Sequence, residues 1–231
     1  MKLYGMQQSR SFRCLWALEE SGLDYEYVPI KLRTSGDQPD SAQNPSYLAV
    51  NIQGKVPTLV DGKMILTESV AILNHIGRKA PDSGLIPEGD LKAQAKYDEL
   101  ISFVLAELEQ PLWSKGKHTF ALPEEHRIPA MLETAKFEFA KAVRTLSHLL
   151  GENEFAIGDK FSIADILLAL LLLLITGPFV LLAALFIWLE DRGPVLYAQQ
   201  RSGWLGRPFT VLKLRTMRVQ PRGYQPLWTQ P

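Results

Sequence analysis

The sequence predicts an α/β domain at the N-terminus, an all-α second domain, and an apolar helix-break-helix segment of membrane type behind them. Three observations carry this. Strand and helix signals alternate over residues 1–86, two long stretches of helical periodicity follow as far as Leu150, and no charged residue occurs from Ile166 to Leu189. The expected divisions are 1–80, 87–165 and 166–217, with a tail at 218–231.

Lys2–Met6 is a short strand candidate, and Phe12–Ser21 carries Phe12, Leu15, Trp16 and Leu18 at close to helical spacing. Gly22 is a natural C-terminal stop for that helix. Tyr25–Lys31 reads as a second strand, with Pro29 marking an edge or an end. A polar connector, Leu32–Gln43, leads to two apolar runs, Val56–Val60 and Lys63–Leu66, divided by the hairpin signal Asp61-Gly62. Thr67-Glu68-Ser69 then opens a helical pattern through Val70, Ile72, Leu73 and Ile76. The expected order is βαβ, connector, ββα.

Several function classes are excluded by composition. Lys+Arg and Asp+Glu stand at 25 each, so there is no basic excess for nucleic acid. Cys14 is the only cysteine, which excludes an internal disulfide and fits a reducing cytoplasm. It falls inside a helical pattern beside Leu15 and Trp16 with no second cysteine near it, the setting of a small core residue. The four histidines, His75, His118, His126 and His148, show no metal-ligand spacing and read as surface or packing residues.

Asn51–Ile76 resembles the glutathione-binding half of the cytosolic glutathione transferases, a thioredoxin-like fold. The similar pieces are Gly54-Lys55-Val56-Pro57 before a strand, Asp61-Gly62 in the hairpin, and Glu68-Ser69 opening a helix. Ile52 stands where the family often has Pro, at no expected functional cost. The resemblance implies glutathione as co-substrate and no metal. It implies that Val56 offers its backbone N–H and C=O to the peptide like a strand partner, across a cis Val56–Pro57 bond. Glu68 and Ser69 at a helix N-terminus suit a carboxylate, with Glu68 also available to the α-amine and Lys55 to a carboxylate. Their plain alternative is a helix cap.

The glutathione thiol needs help to ionise, because a free thiol is mostly protonated at neutral pH. A hydroxyl at the start of the first helix supplies a hydrogen bond to the anion, and Ser9 and Ser11 both lie there. The theta-like subset of the family has its catalytic serine four positions before an arginine, as Ser9 stands before Arg13. Ser9 is therefore the expected catalytic residue and Ser11 the runner-up. A helix-capping role for Ser9 is compatible with both.

Leu91–Trp113 and Pro123–Leu150 carry helical periodicity, the second through Met131, Phe137, Phe139, Val143, Leu146 and Leu150. Both fit the helical second domain of the same family. Ser162 and Asp165, three apart before an apolar run, make a capping box with Asp in place of Glu, a structural feature.

Asp165–Met217 is similar to the N-terminal portion of the bacterial sugar transferases, monotopic polyprenyl-phosphate phosphoglycosyl transferases. The matching features are the Leu-rich run interrupted at Gly177-Pro178, then Gly193-Pro194-Val195, Gln200–Gly203 and Lys213–Met217. The resemblance implies a helix broken at Gly177-Pro178 so that it re-enters the same leaflet, and phosphate contacts from Arg201, Lys213 and Arg215. The family's Asp-Glu nucleophile pair has no counterpart after Met217, so no phosphoglycosyl transfer is expected. The two resemblances meet at Ala164–Ala169, a seam of the kind a chimera carries.

The functional expectation is glutathione transfer, conjugating or reducing a small electrophile bound between the two domains, in a chain with homodimeric relatives. The alternatives are a membrane-associated glutathione-binding module with little turnover, docked through 166–189, and an inactive chimera. The expected location is the cytoplasm or, for a docked protein, a peripheral or monotopic position at the inner face of the membrane.

Overall fold

The computed structural model describes residues 1–192, 195–202 and 208–214, without side chains at 173–176, 178, 190–191 and 197–214. The chain divides into two compact units, Met1–Leu171 and Leu172–Pro231.

The first unit opens with β1 (Lys2–Gly5), α1 (Ser11–Ser21), β2 (Glu26–Pro29), α2 (Pro45–Leu48), β3 (Thr58–Asp61), β4 (Met64–Thr67) and α3 (Ser69–Lys79). The sheet order is β2-β1-β3-β4, parallel between β1 and β2 and antiparallel elsewhere. This is the expected βαβ-ββα order, with the connector adding the short helix α2. Its N-cap Asn44 accepts from the Ser46 N–H, a local pattern too short for periodicity to reveal. Leu3 and Leu59 from the sheet, Cys14, Ala17 and Leu18 from α1, and Ile72, Leu73 and Ile76 from α3 share one core. Gly22 ends α1 at φ 67°, a left-handed cap that favours glycine. The hairpin turn is Gly62-Lys63, one residue later than expected, because Asp61 pairs with Met64. Gly62, at φ 60°, takes the first central position.

The helical part holds α4 (Leu91–Phe103), α5 (Gln110–Gly116), α6 (Met131–Leu150) and α7 (Ile163–Asp191). The helix expected over Leu91–Trp113 contains a π-helical stretch at Val104–Glu109, which ends as α5 begins with Pro111 in its first turn. Proline has no N–H to give the preceding turn, so the regular ladder changes there. The second expected helix starts at Met131 rather than Pro123, and its Phe137 is 69% exposed, so that residue is not part of the core.

Asp165 secures the start of α7. Its Oδ2 accepts from the Ser162 N–H at 2.8 Å and the Ser162 hydroxyl at 2.9 Å, and its Oδ1 accepts from the Ala156 N–H at 2.8 Å. The expected box is thus present, with one difference: the serine hydroxyl donates to the carboxylate instead of accepting from the N3 amide. The Ile163 N–H donates to the Leu85 carbonyl, and Ile163, Ala164, Ile166 and Leu167 are fully buried.

The expected break at Gly177-Pro178 is absent: α7 runs unbroken from Ile163 to Asp191 through both residues. A proline removes one ladder bond, and a long Leu-rich helix keeps the bonds on either side of it. Among the described residues no helix is long and apolar enough to cross a membrane. Beyond α7, β5 (Leu196–Ser202) and β6 (Pro208–Leu214) pair antiparallel. Arg201 and Lys213 lie on these strands with their side chains outside the described residues, and Arg215 lies outside them entirely.

Replacing Asp165 by Ala strips acceptors from three buried or half-buried donors. The expected cost is about 3 kcal/mol of unfolding free energy, read as a lower urea midpoint; a loss under about 0.5 kcal/mol contradicts the anchoring role.

Candidate glutathione site

The sheet register brings three chain segments to one end of the sheet. Tyr4 near the end of β1 pairs with Thr58 at the start of β3, and Thr58 pairs with Thr67 at the end of β4. The turn carrying Ser9, the loop Lys55-Val56-Pro57 and the Glu68-Ser69 junction therefore all leave the sheet at the same end. Both α1 and α3 begin there, so two helix N-termini lie at that end.

At the α1 end the two serines are linked. The Ser9 hydroxyl lies 2.6 Å from the Met6 carbonyl and 2.9 Å from the Ser11 hydroxyl, and it accepts from the Ser11 N–H at 3.1 Å. The Ser11 hydroxyl in turn accepts from the Met6 N–H at 3.2 Å. Ser9 has one proton, and it goes to Met6; Ser11 is then the donor between the two hydroxyls. Donors converging on the Ser9 oxygen strengthen it as a donor in its own right. Ser11 is 1% exposed, whereas Ser9 is only partly buried, so Ser9 is the hydroxyl an outside molecule reaches.

The loop before β3 is held by a buried polar knot. The Tyr47 hydroxyl donates to the Lys55 carbonyl at 2.5 Å and sits 3.0 Å from the Thr58 hydroxyl. Asn51 Nδ2 donates to the same carbonyl and the same hydroxyl, each at 2.9 Å. Val56–Pro57 is cis, as the resemblance implies. Among the described residues neither the N–H nor the C=O of Val56 has a hydrogen-bond partner. The Lys55 side chain is exposed.

At the third segment Glu68 is exposed and adopts φ 66° and ψ 116°, outside the regions a non-glycine residue favours. It makes no side-chain cap, which removes the plain capping role considered for it. Such backbone strain costs on the order of 1–3 kcal/mol and collects at ligand-binding positions. Ser69 is buried, and its carbonyl lies 3.6 Å from the Cys14 thiol, which joins α1 to α3. Burial pushes that thiol up to about 12, so Cys14 is a neutral core group. Asp61 ties β3 to α3 by accepting from Lys79 at 2.5 Å and His75 at 2.9 Å, and these two bonds hold its carboxyl below the usual range. Of the two roles expected for His75, surface or packing, it takes the second, as a structural partner of Asp61. Among the described residues no cluster of His, Cys, Asp or Glu is placed to hold a metal.

Two cavities, of about 830 and 540 Å³, lie elsewhere on the first unit, and neither is lined by Ser9, Val56 or Glu68. The candidate site is the end of the sheet where β1 leaves, β3 enters and β4 leaves, with the Val56 backbone unpaired among the described residues and available to an extended peptide.

The chain is 33% identical over 172 residues to a zeta-class glutathione S-transferase of Euphorbia esula, covering 73% of this chain and 72% of that one. It is also 33% identical over 174 residues to glutathione S-transferase Z2 of Arabidopsis thaliana, covering 73% and 74%. The chain belongs to the glutathione S-transferases. Residues 1–78 of this transferase match the family model "Glutathione S-transferase, N-terminal domain", and residues 160–230 match "Bacterial sugar transferase". Its fold matches that of a sphingomonad glutathione S-transferase complexed with glutathione at 30% identity and a TM-score of 0.60, over 74% of this chain and 81% of that one. A glutathione S-transferase I bound with lactoylglutathione matches at 30% identity and a TM-score of 0.57, over 72% and 78%.

Sequence reasoning gave no role to Tyr47, Asn51 or Thr58, which become a unit only once β3 folds back. It also missed Glu109, more than ninety positions from the arginine it pairs with.

Two outcomes are expected of this chain. Glu68→Gly, which relieves the positive φ, matches or exceeds wild-type stability by up to about 1 kcal/mol, whereas Glu68→Ala does not; equal melting of the two variants removes the strain argument. Cys14 resists a thiol reagent at pH 8 in the folded chain and reacts fully in denaturant; rapid native-state labelling contradicts its burial.

Proposed function

We propose that the chain binds glutathione at this end of the sheet and uses its thiolate on small electrophiles. The convergence of Ser9, the cis Val56–Pro57 loop and Glu68-Ser69 through one register is the observation that supports this most. Membership in the family and the glutathione seen in a related structure support it further. In this account the glutathione backbone pairs with the Val56 N–H and C=O, which have no other partner among the described residues. Glu68 takes the α-amine, Lys55 and the Ser69 helix terminus take carboxylates, and Ser9 turns its proton from the Met6 carbonyl to the sulfur. Ser11 stays buried and acts through Ser9. The thiolate attacks the electrophile, a C–S bond forms, and the leaving group departs with its electron pair. In reduction the thiolate first bonds the electrophile, a second glutathione thiolate then attacks the sulfur of that adduct, and the bond to the substrate breaks: the two glutathiones leave joined as the disulfide, and the substrate keeps the electron pair and takes up the protons.

A second reading, a glutathione-binding module docked on a membrane with little turnover, is supported by α7. There Phe179 and Leu181 are each 71% exposed and Phe186 is 63% exposed. Arg192 stacks 4.3 Å over Trp188, an arrangement suited to a lipid–water interface. Binding that requires detergent distinguishes it from the first reading.

The test is calorimetric titration of glutathione into the full chain, followed by conjugation to an aryl chloride, for wild type and Ser9→Ala. Ser9→Ala is expected to keep binding within a few-fold and to lose about 10- to 100-fold in turnover at pH 7, recovering as pH rises past the free thiol's value of ~8.5. Unchanged turnover in Ser9→Ala, with loss in Ser11→Ala, contradicts the assignment.

A further inference from the structure

Two arginines and one carboxylate meet at the foot of α1. Arg13 is 5% exposed, and its Nη2 donates to Glu109 Oε1 at 2.5 Å. Arg10, the neighbour of Ser9, brings its Nη2 to 3.0 Å from Glu109 Oε2 with its own side chain 48% exposed. Glu109 is 4% exposed and ends the π-helical stretch of the helical domain. A residue of the helical part thus holds the start of α1, directly after the turn that carries Ser9.

The charges do not cancel. Two guanidinium groups, always protonated, face one carboxylate and leave a net positive charge. Arg13 Nε and Nη1 are buried without a hydrogen-bond partner among the described residues, and so is Glu109 Oε2, which Arg10 approaches as an ion pair only. Unmet buried donors are destabilising, and an apolar side chain of similar volume avoids them. Folding alone therefore does not account for an arginine at this position.

Resting on the glutathione reading above, we propose that Arg10, Arg13 and Glu109 form a charge triad that sets the electrostatic field under the glutathione sulfur, with the arginines favouring the thiolate and Glu109 tempering them. All three are positioning residues that act at a distance from the sulfur. The α1 N-terminus adds its own positive dipole end. Among the described residues, Lys55 on the loop before β3 and Glu68 at the junction before α3 also place charge at this end of the sheet. Cys14, packed between α1 and α3, stays neutral and adds nothing. The fine tuning comes from the difference between two cations and one anion, so each member has a signed effect.

The experiment follows the thiolate ultraviolet band of glutathione bound to the full chain as pH is raised, in wild type, Arg10→Gln, Glu109→Gln and the double variant. Arg10→Gln is expected to raise the bound thiol's pKa by about half a unit, less than a close buried charge gives because Arg10 is half exposed. Glu109→Gln is expected to lower it by a similar amount. The double variant returns close to wild type, because Arg13 alone restores the same net charge. Shifts of the same sign in both single variants, or a double variant worse than either, assign a purely structural role and overturn the proposal. Should Glu109→Gln fail to fold, Arg10→Gln decides alone, and an unshifted pKa overturns it. Glutathione binding with unshifted pKa values removes only the triad; no glutathione binding by wild type removes the glutathione reading and the triad with it.

Discussion

The pairing of Thr58 with Tyr4 on one side and Thr67 on the other is the constraint on which the rest of the site depends. Side chains alternate across a sheet, so a slip of one residue sends the buried face of β3 outward. It also displaces the loop before β3 against the turn after β1. Leu3 and Leu59, directly opposed and fully buried, resist that slip because each already fills the core beneath α1 and α3. The apolar core thereby determines where polar binding groups emerge, though it contains none of them.

Buried polar contacts then refine what the register sets. Tyr47 and Asn51 both converge on the Lys55 carbonyl and the Thr58 hydroxyl, so the loop before Pro57 is fixed from behind. With its inner face satisfied, the loop keeps the backbone of Val56 unpaired among the described residues. Preorganised donors and acceptors lose little freedom when a ligand arrives. Glu109 provides a comparable restraint from the helical domain, gripping α1 through Arg10 and Arg13.

Much of this was legible in the sequence where a local rule operates. The βαβ-ββα order followed from periodicity and turn residues, and the Ser162–Asp165 box from spacing alone. Ser9, Val56-Pro57 and Glu68 were singled out through the resemblance, whose motifs sit beside a helix start, a proline and a strand end. The polar knot and the arginine–Glu109 pair were not, since each joins residues that no short-range pattern relates. The π-helical stretch at Val104–Glu109 was hidden for the same reason, because its apolar spacing resembles that of an ordinary helix. Gly177-Pro178 misled in the other direction: the local rule predicts a break, and the helical context carries the chain through.

The central claim is that glutathione pairs with the backbone of Val56. Amide hydrogen exchange at Val56, measured residue by residue with and without glutathione, tests it directly, because that N–H has no partner among the described residues. The account predicts fast exchange in the free chain and strong protection once glutathione is bound, accompanied by changes at Ser9 and Ser69. Protection confined to other parts of the chain, with Val56 exchanging at its free rate, contradicts it.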